Sequence, residues 1–441
     1  MDYENNSWIW DGVYYYPHLF GGIMVTAALL GLSTSYFGGI GSFHKRKSGE
    51  KKRVRVYMDG CFDLVHYGHA NALRQAKALG DELVVGVVND EVIAEHKGPP
   101  VFNMEERLTL VNGLKWVDEV IPDAPYAISE EFMNRLFNEY KIDYIIHGDD
   151  PCLLPDGSDV YAAAKKAGRY KQIKRTEGVS STDIVGRILA SSRCRENGED
   201  HIVNGKQHQE ESQSEDSHIS QFLPTSRRIS QFSNGKEPGA NARIVYIDGA
   251  FDLFHAGHVE ILKRARELGD FLLVGIYSDE TVREHRGSHY PIMRLHERSL
   301  SVLSCRYANE VIIGAPWKVT KDMITTFNIS QVVHGTVAEN SLKSESDPYE
   351  VPKNMGIFRL LESPKDTTTT SVAERIIANH EAYKKRNAKK AQNEKRYYEE
   401  EKKYVPSFAT FHVEFLEPSE EHDKNKDELA FVAPFPRKSN P

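Results

Sequence analysis

Two histidines three residues apart occur twice in this chain, each time at the end of the same turn. The first copy reads Asp59-Gly60-Cys61-Phe62-Asp63-Leu64-Val65-His66-Tyr67-Gly68-His69. The second reads Asp248-Gly249-Ala250-Phe251-Asp252-Leu253-Phe254-His255-Ala256-Gly257-His258. Residues at i and i+3 share one face of the first turn of a helix. The start of a helix offers free N–H groups and the positive end of its dipole, which suits a phosphate, and Gly68 would let that phosphate approach the backbone. A histidine pair pressed against the phosphate could stabilise the charge that builds on it under attack. Positioning and electrostatics are the usual means of catalysing phosphoryl-group transfer. Other chemistries fit less well. A metal site needs three or four ligands, and no third partner is fixed at this turn. The chain has no G-x-S-x-G nucleophile elbow, no Walker P-loop and no dinucleotide G-x-G-x-x-G.

The elements that must position these residues can be read from the flanks. Each motif follows an alternating, β-branched run, Val54 to Met58 and Ile244 to Ile247. Each opens a segment with helical apolar spacing that ends in Leu-Gly-Asp, so each is strand, tight turn, helix. Further strands are expected at Leu83 to Val88, Glu119 to Pro122 and Tyr144 to Ile146. Strands alternating with helices predict an α/β fold with a parallel, doubly wound sheet, and ligands then bind at the carboxyl ends of the strands. The second copy repeats the first in order. Gly275 to Asp279 answers Gly86 to Asp90, Glu284 to Gly287 answers Glu95 to Gly98, Ala315-Pro316-Trp317 answers Ala124-Pro125-Tyr126, and His334-Gly335 answers His147-Gly148. The chain is therefore read as two tandem Rossmann-like domains, 53–192 and 241–380.

Length and composition frame the remainder. A chain of 441 residues has room for two to four domains. The net charge of -8 argues against a protein that coats nucleic acid. Four cysteines without paired spacing make neither a disulfide framework nor a zinc ribbon, which fits a reduced, cytosol-facing location. Residues 12–43 contain no Asp, Glu, Lys or Arg, and a basic cluster from Lys45 to Arg55 follows. Residues 1–52 are read as a membrane anchor with its basic flank, the apolar part forming a transmembrane helix and leaving the body cytosolic. A disordered apolar extension or a buried hairpin is the alternative. Residues 193–240, rich in polar residues, read as a flexible linker. Arg227-Arg228 before Ser230 would suit a basophilic kinase, and an uncommitted linker is the plainer reading. Residues 381–441 read as a charged, solvated helix followed by an irregular tail.

The pair formed by His66-Tyr67-Gly68-His69 and Arg175-Thr176-Glu177-Gly178-Val179-Ser180-Ser181-Thr182 resembles the signature of the nucleotidyltransferases that make CDP-alcohols. Two tandem copies resemble, within that group, the ethanolamine-phosphate cytidylyltransferases. Phosphocholine cytidylyltransferases resemble a single copy. The resemblance implies that CTP and phosphoethanolamine give CDP-ethanolamine and pyrophosphate with Mg²⁺, the product feeding phosphatidylethanolamine synthesis. Carried over, it makes His66, His69, Lys97 and Arg175 catalytic. It gives CTP contacts to Cys61, Phe62, Gly68, Asp149, Ser180, Ser181 and Thr182, with Thr182 or Asp183 capping a helix. Asp63, Tyr126 and His147 fall in the acceptor site, where Asp63 would pair with the ammonium and Tyr126 pack against it. No protein metal ligands are expected. The apolar N-terminal extension resembles that of the plant form, which leans toward the mitochondrial outer membrane over the endoplasmic reticulum.

The second copy keeps His255, His258 and Arg286 but reads Ser363-Pro364-Lys365-Asp366-Thr367-Thr368-Thr369-Thr370-Ser371 where the first has its Arg-Thr-x-Gly motif. The expectation is nucleotide binding there through Ala250, Phe251, His255, His258, Arg286, His334, Gly335, Thr336 and Thr367 to Thr370, with turnover carried by the first copy. The two copies are expected to pack as a pseudo-dimer, or the chain to form a homo-oligomer. Three rivals stay open: transfer to phosphocholine or glycerol phosphate, adenylyl transfer, and a membrane-tethered CTP sensor without turnover.

Overall fold

The computed structural model describes residues 53–150, 152, 159–196, 222–233, 235–337, 346–388 and 392. The first copy runs β1 (Arg55–Gly60), α1 (Tyr67–Lys77), β2 (Glu82–Val88), α2 (Asp90–Lys97), α3 (Met104–Asn112), β3 (Glu119–Ala124), α4 (Glu130–Asn138), β4 (Tyr144–Gly148), α5 (Ala162–Lys166), β5 (Tyr170–Ile173) and α6 (Ser181–Glu196). Its five strands are all parallel in the order β3-β2-β1-β4-β5. The order reverses at β1, so a crevice opens beyond the carboxyl ends of β1 and β4. The turn after β1 carries the histidine motif, and β4 ends in His147-Gly148. Short polar residues start the helices at this rim. Asn89 caps α2, and Asn103 caps α3 in a reciprocal box with Glu106.

After α7 (Phe222–Phe232) the second copy repeats the plan: β6 (Ile244–Gly249), α8 (Ala256–Arg266), β7 (Phe271–Tyr277), α9 (Asp279–Arg286), α10 (Leu295–Ser304), β8 (Glu310–Ala315), α11 (Lys321–Thr326), β9 (Ile329–Gly335), α12 (Glu350–Asn354), β10 (Phe358–Leu361) and α13 (Thr369–Ala378). The strand order is β10-β9-β6-β7-β8, again parallel. The buried residues of the first two strands in each sheet are mostly Val, Leu, Ile and Tyr, as expected for strands covered on both faces.

The copies pack on one another. Leu114 and Cys305 form an antiparallel bridge, flanked by Lys115 N to Ser304 O at 3.0 Å and Arg306 N to Gly113 O at 2.8 Å. Two reciprocal ion pairs reinforce it. Arg187 of α6 grips Glu297 of α10 through two hydrogen bonds of 2.7 and 3.0 Å. Arg375 of α13 grips Glu106 of α3 at 2.8 and 3.0 Å. Both carboxylates are buried.

Two expectations about the connecting segments change. Part of the linker is α7, an amphipathic helix rather than flexible chain. Ile229 and Phe232 share its inner face, Phe232 is buried edge-on to Trp116 at 5.1 Å, and Arg228 reaches the Tyr67 hydroxyl at 3.3 Å. The tail is not wholly solvated either: residues 380–388 are helical and Tyr383 is buried. The expected anchor at residues 1–52 lies outside the described residues. Among the described residues no helix is long and apolar enough to cross a membrane.

Candidate active site

The turn after β1 is strained in the same way in both copies. Phe62 and Leu64 have φ of 48° and 51°, and Phe251 and Leu253 have 49° and 46°. Bulky side chains enter this region only when their surroundings hold them there, at a cost of about 1–3 kcal/mol each. Asp63 is one such hold: its two oxygens accept the N–H groups of Val101 and Phe102, each at 3.0 Å. Asp252 does the same with Ile292 and Met293 at 2.7 and 2.8 Å. Fully buried Arg107 donates to Cys61 O at 2.8 Å and pairs with Asp90, while Arg298 donates to Ala250 O at 2.6 Å and Tyr277 O at 2.7 Å. The expectation that Asp63 meets the substrate ammonium is therefore corrected, because both its oxygens are spent on the backbone beneath the turn.

His66 and His69 form the N-terminal cap of α1. His66 Nδ1 accepts the Gly68 N–H at 3.0 Å, and His69 Nδ1 accepts the His66 N–H at 3.4 Å. An acceptor at Nδ1 fixes the neutral tautomer that carries its proton on Nε2. The two rings lie 4.1 Å apart. The pair thus carries a proton on each Nε2. In the second copy the rings are 3.7 Å apart, and the His255 N–H meets His258 Nδ1 at 3.3 Å. Burial, then His255 and Arg286, push the His258 pKa well below its ordinary value, so it is neutral. Gly68 also makes room for the histidine: a Cβ there would lie 2.7 Å from His66 Cε1 and 3.0 Å from Val179 Cγ1. Glycine at this position leaves the space that the His66 ring occupies.

The Arg-Thr-x-Gly segment approaches the same turn from β5. Ser180 caps α6 by accepting the Asp183 N–H at 3.1 Å, which displaces Thr182 and Asp183 from the expected capping role. The Ser181 hydroxyl donates to Asp63 O at 3.1 Å, so its proton ties the helix to the turn and is not free for a phosphate. Half-buried Thr182 and the exposed side chain of Arg175 remain on this rim. Asp149 accepts the Arg175 N–H at 2.8 Å. In the second copy Thr368 is the cap and the Thr369 hydroxyl donates to Asp252 O at 3.1 Å. That superposes Thr368 on Ser180, Thr367 on Val179, Lys365 on Glu177 and Ser363 on Arg175.

The other end of the crevice is aromatic. Tyr126 stacks on His96 with centroids 4.5 Å apart. The exposed Lys97 stem brings its ammonium 5.3 Å from the Tyr126 centroid and 3.6 Å from Cys61 Sγ. His147 packs on Tyr161 at 4.5 Å, and the Tyr161 hydroxyl donates to buried Asp59 at 2.8 Å. Burial raises the Asp59 pKa, with Tyr161, His147 and Lys97 opposing. Phe62 lies 5.9 Å from the His69 ring. Asp59 and Tyr161 did not stand out in the sequence. Their signal was there in the duplication, since Asp59 recurs as Asp248 and Asp159-Val160-Tyr161 as Asp347-Pro348-Tyr349.

A cavity of about 130 Å³ occupies the same place in the second copy, lined by Ala250, Phe251, the histidine pair, Arg286, His334, Gly335 and Thr367 to Thr369, among others. Thr336 and Thr370 point elsewhere: Thr336 Oγ1 accepts the Ser363 N–H at 2.9 Å, and the Thr370 hydroxyl meets the Tyr290 hydroxyl at 3.2 Å. Thr367 reaches Glu106 of the first copy at 3.3 Å. Among the described residues no group of three or more His, Cys, Asp or Glu is arranged to hold a metal ion.

Two parallel α/β sheets, each with a histidine pair at the start of its first helix, define a tandem nucleotidyltransferase architecture. Residues 57–187 and 246–397 match the family described as Cytidylyltransferase-like. The chain is 66% identical over 364 residues to an ethanolamine-phosphate cytidylyltransferase of Arabidopsis thaliana, covering 80% of this chain and 86% of that one. It is 43% identical over 372 residues to the Mus musculus protein of the same name, covering 78% and 91%. A choline-phosphate cytidylyltransferase of Arabidopsis thaliana is 44% identical over 146 residues, only 32% of this chain and 47% of that one. The chain belongs to the ethanolamine-phosphate cytidylyltransferase family and is an enzyme.

Proposed function

We propose that the first copy transfers the cytidylyl group of CTP to phosphoethanolamine, giving CDP-ethanolamine and pyrophosphate for phosphatidylethanolamine synthesis. The observation that carries this reading is the unbroken set around α1, namely the histidine pair with both Nδ1 atoms turned to the backbone, Lys97 across the crevice and the Arg175 rim. A phosphate oxygen of the acceptor forms a bond to the α-phosphorus as the bond to the bridging oxygen breaks and pyrophosphate leaves in line. His66 and His69 donate to the α-phosphate oxygens where charge grows. Lys97, now beside Cys61 and Tyr126, is within a side-chain swing of the phosphates, and Gly98 (φ 85°) ends its helix. Arg175 and Thr182 face the leaving pyrophosphate. Asp59, braced by Tyr161, and the Tyr126 ring receive the ammonium. Mg²⁺ would be carried on the CTP phosphates and would neutralise part of their charge, since such ions are commonly bound through substrate phosphates rather than an all-protein cage.

The second copy supports nucleotide binding and the position of the first, without turnover, because Ser363 stands where Arg175 does. Residues 1–52 anchor the enzyme, with its body in the cytosol, at the mitochondrial outer membrane in preference to the endoplasmic reticulum. The apolar run and the basic flank support that. Carbonate extraction of cell membranes, compared with a chain lacking those residues, tests it, and release of the full chain by carbonate would refute it. The main test is pyrophosphate release from CTP with phosphoethanolamine, phosphocholine and glycerol phosphate. The expected result is preference for phosphoethanolamine, lost in His66→Ala/His69→Ala and retained in His255→Ala/His258→Ala. Equal losses in the two double variants would contradict the division of labour. Retention of configuration at phosphorus would sink the in-line step.

A further inference from the structure

We propose that Asn71, on the second turn of α1, is a positioning residue for the transfer: it sets the Arg175 guanidinium against the histidine pair. The proposal rests on the role given above to Arg175, which faces the leaving pyrophosphate.

Arg175 is exposed and sits in the irregular segment between β5 and α6. A long side chain on such a segment is only as well placed as the backbone that carries it. Three consecutive residues of that segment are held. Gln75 Nε2 donates to Lys174 O at 2.9 Å, the Arg175 N–H donates to Asp149 at 2.8 Å, and Asn71 Nδ2 donates to Thr176 Oγ1 at 2.9 Å. Gln75 and Asn71 both belong to α1, the helix whose first turn carries His66 and His69. They lie about 9 and 3 Å along its axis from His69, so the histidines and these two anchors move as one rigid body. The direction of the Asn71 amide is fixed as well. Its oxygen accepts from Arg74 Nε at 3.0 Å, and an arginine nitrogen can only donate. The amide nitrogen is thereby turned to Thr176, which is buried.

The second copy separates the anchors that serve the fold from the one that serves the arginine. Arg264 stands where Gln75 does and donates to Glu362 O, the counterpart of Lys174 O, at 3.1 Å. Thr336 stands where Asp149 does and accepts the Ser363 N–H at 2.9 Å. Both of these anchors are kept. The third is not: Glu260 replaces Asn71 and Pro364 replaces Thr176, which leaves neither the amide donor nor the hydroxyl acceptor. The bond is missing in the copy where Ser363 replaces Arg175, and β10 and α13 form there without it. The Asn71–Thr176 bond therefore goes with the arginine and not with the fold.

The test is steady-state kinetics of the full chain with CTP and phosphoethanolamine on Asn71→Ala, Thr176→Val, Arg175→Ala and Asn71→Ala/Arg175→Ala, with unfolding midpoints for each. Alanine suits the helix and valine keeps the outline of threonine, so the two variants read one bond from its two sides. A misplacement of about 1 Å costs on the order of a hundredfold in rate, and the expected fall in kcat is about tenfold or more for each of the two. The KM for phosphoethanolamine should not change, because the displaced group serves the leaving pyrophosphate and not the acceptor. Once Arg175 is removed Asn71 has nothing to place, so Asn71→Ala should change kcat by less than about twofold in the Arg175→Ala background, whereas a purely structural contact would cost the same in either. Losses that multiply in the double variant overturn the proposal. So does a kcat within about twofold of wild type in either Asn71→Ala or Thr176→Val beside a costly Arg175→Ala. Full kcat in Arg175→Ala would instead condemn the role given to Arg175, and the proposal would fall with it.

Discussion

Arg187→Met removes the cation that crosses from α6 to α10, and its cost can be worked from the surroundings of each partner. Glu297 is 1% exposed; without Arg187 it keeps the Arg294 N–H at 2.8 Å as a partner. Stranding a buried carboxylate by deleting its partner costs about 3–5 kcal/mol. The Arg187 side chain is 32% exposed, so water reaches this pair and the lower end, about 3 kcal/mol, applies. Glu297→Gln is milder, about 1–2 kcal/mol, because the amide still accepts from Arg294 and the arginine left behind is partly hydrated. The double variant strands no charge and should be less destabilised than Arg187→Met alone. The pair also has a functional reading. Arg187 lies six residues into α6, roughly 9 Å along the axis from the Ser181 end that meets the phosphate rim. A shift of about 1 Å at that end costs on the order of a hundredfold in rate. Denaturant unfolding of the single and double variants, with kcat and KM for each substrate, reads both effects. The expected signature is a KM for CTP raised more than the KM for phosphoethanolamine. Equal, additive costs within about 0.5 kcal/mol and unchanged KM values would refute the reasoning.

Gly68→Ala should lower kcat at least about tenfold while costing little stability, because alanine suits a helix but its Cβ displaces the His66 ring; activity compared with the unfolding midpoint checks it. Asp248→Asn should stabilise the unliganded enzyme at pH 8. Burial lifts the Asp248 pKa to about 6 from an ordinary 3.8, so the folded state binds the proton more tightly than the unfolded state and stability falls as pH rises across that interval. The gain is at most about 3 kcal/mol above pH 6 and should vanish near pH 4, as thermal melts of both proteins would show. Asp63→Asn should cut turnover and stability together, since one oxygen that accepts a backbone N–H is replaced by an NH₂ group; loss of acceptor affinity alone, at full stability, would restore the ammonium-binding role.

The sequence made the sheets and the histidine turns legible because both are local. Alternating Val and Ile mark the strands, and a histidine pair three apart marks one face of a helix start whatever surrounds it. Duplication doubled that signal. What stayed hidden depends on contacts far apart in the chain. Asp63 resembles a free acid beside the site until Val101 and Phe102 are folded back onto it. Ser181 resembles a phosphate donor until Asp63 O takes its proton. The linker looked flexible on composition, and two apolar residues on one face of α7 sufficed to dock it where Trp116 supplied a partner. Asp59 and Tyr161 lie 102 residues apart, and only the crossover from β4 to β5 brings them together.

The same geometry explains how the second copy can lose a phosphate motif without becoming dispensable. Thr367 and Lys365 stand where Val179 and Glu177 do in the first copy, and both now reach across the interface. Thr367 donates to buried Glu106, and Lys365 pairs with Glu105 at 2.6 Å. The Lys365 pair is exposed at its glutamate and contributes little stability on its own. Its effect is directional, holding the segment before α13 against α3, where Arg375 already clamps Glu106. Through Arg107, one residue on, α3 supports the Cys61 carbonyl at the edge of the first histidine turn. The segment before α13 thus lines the second cavity and at the same time braces the first histidine turn through α3. Restoring the lost motif by Ser363→Arg with Lys365→Glu should therefore weaken the first site instead of creating a second catalytic one. Its signature is a fall in kcat with pyrophosphate release still abolished by His66→Ala/His69→Ala, and turnover that survived that double variant would show that the second copy had only been disarmed.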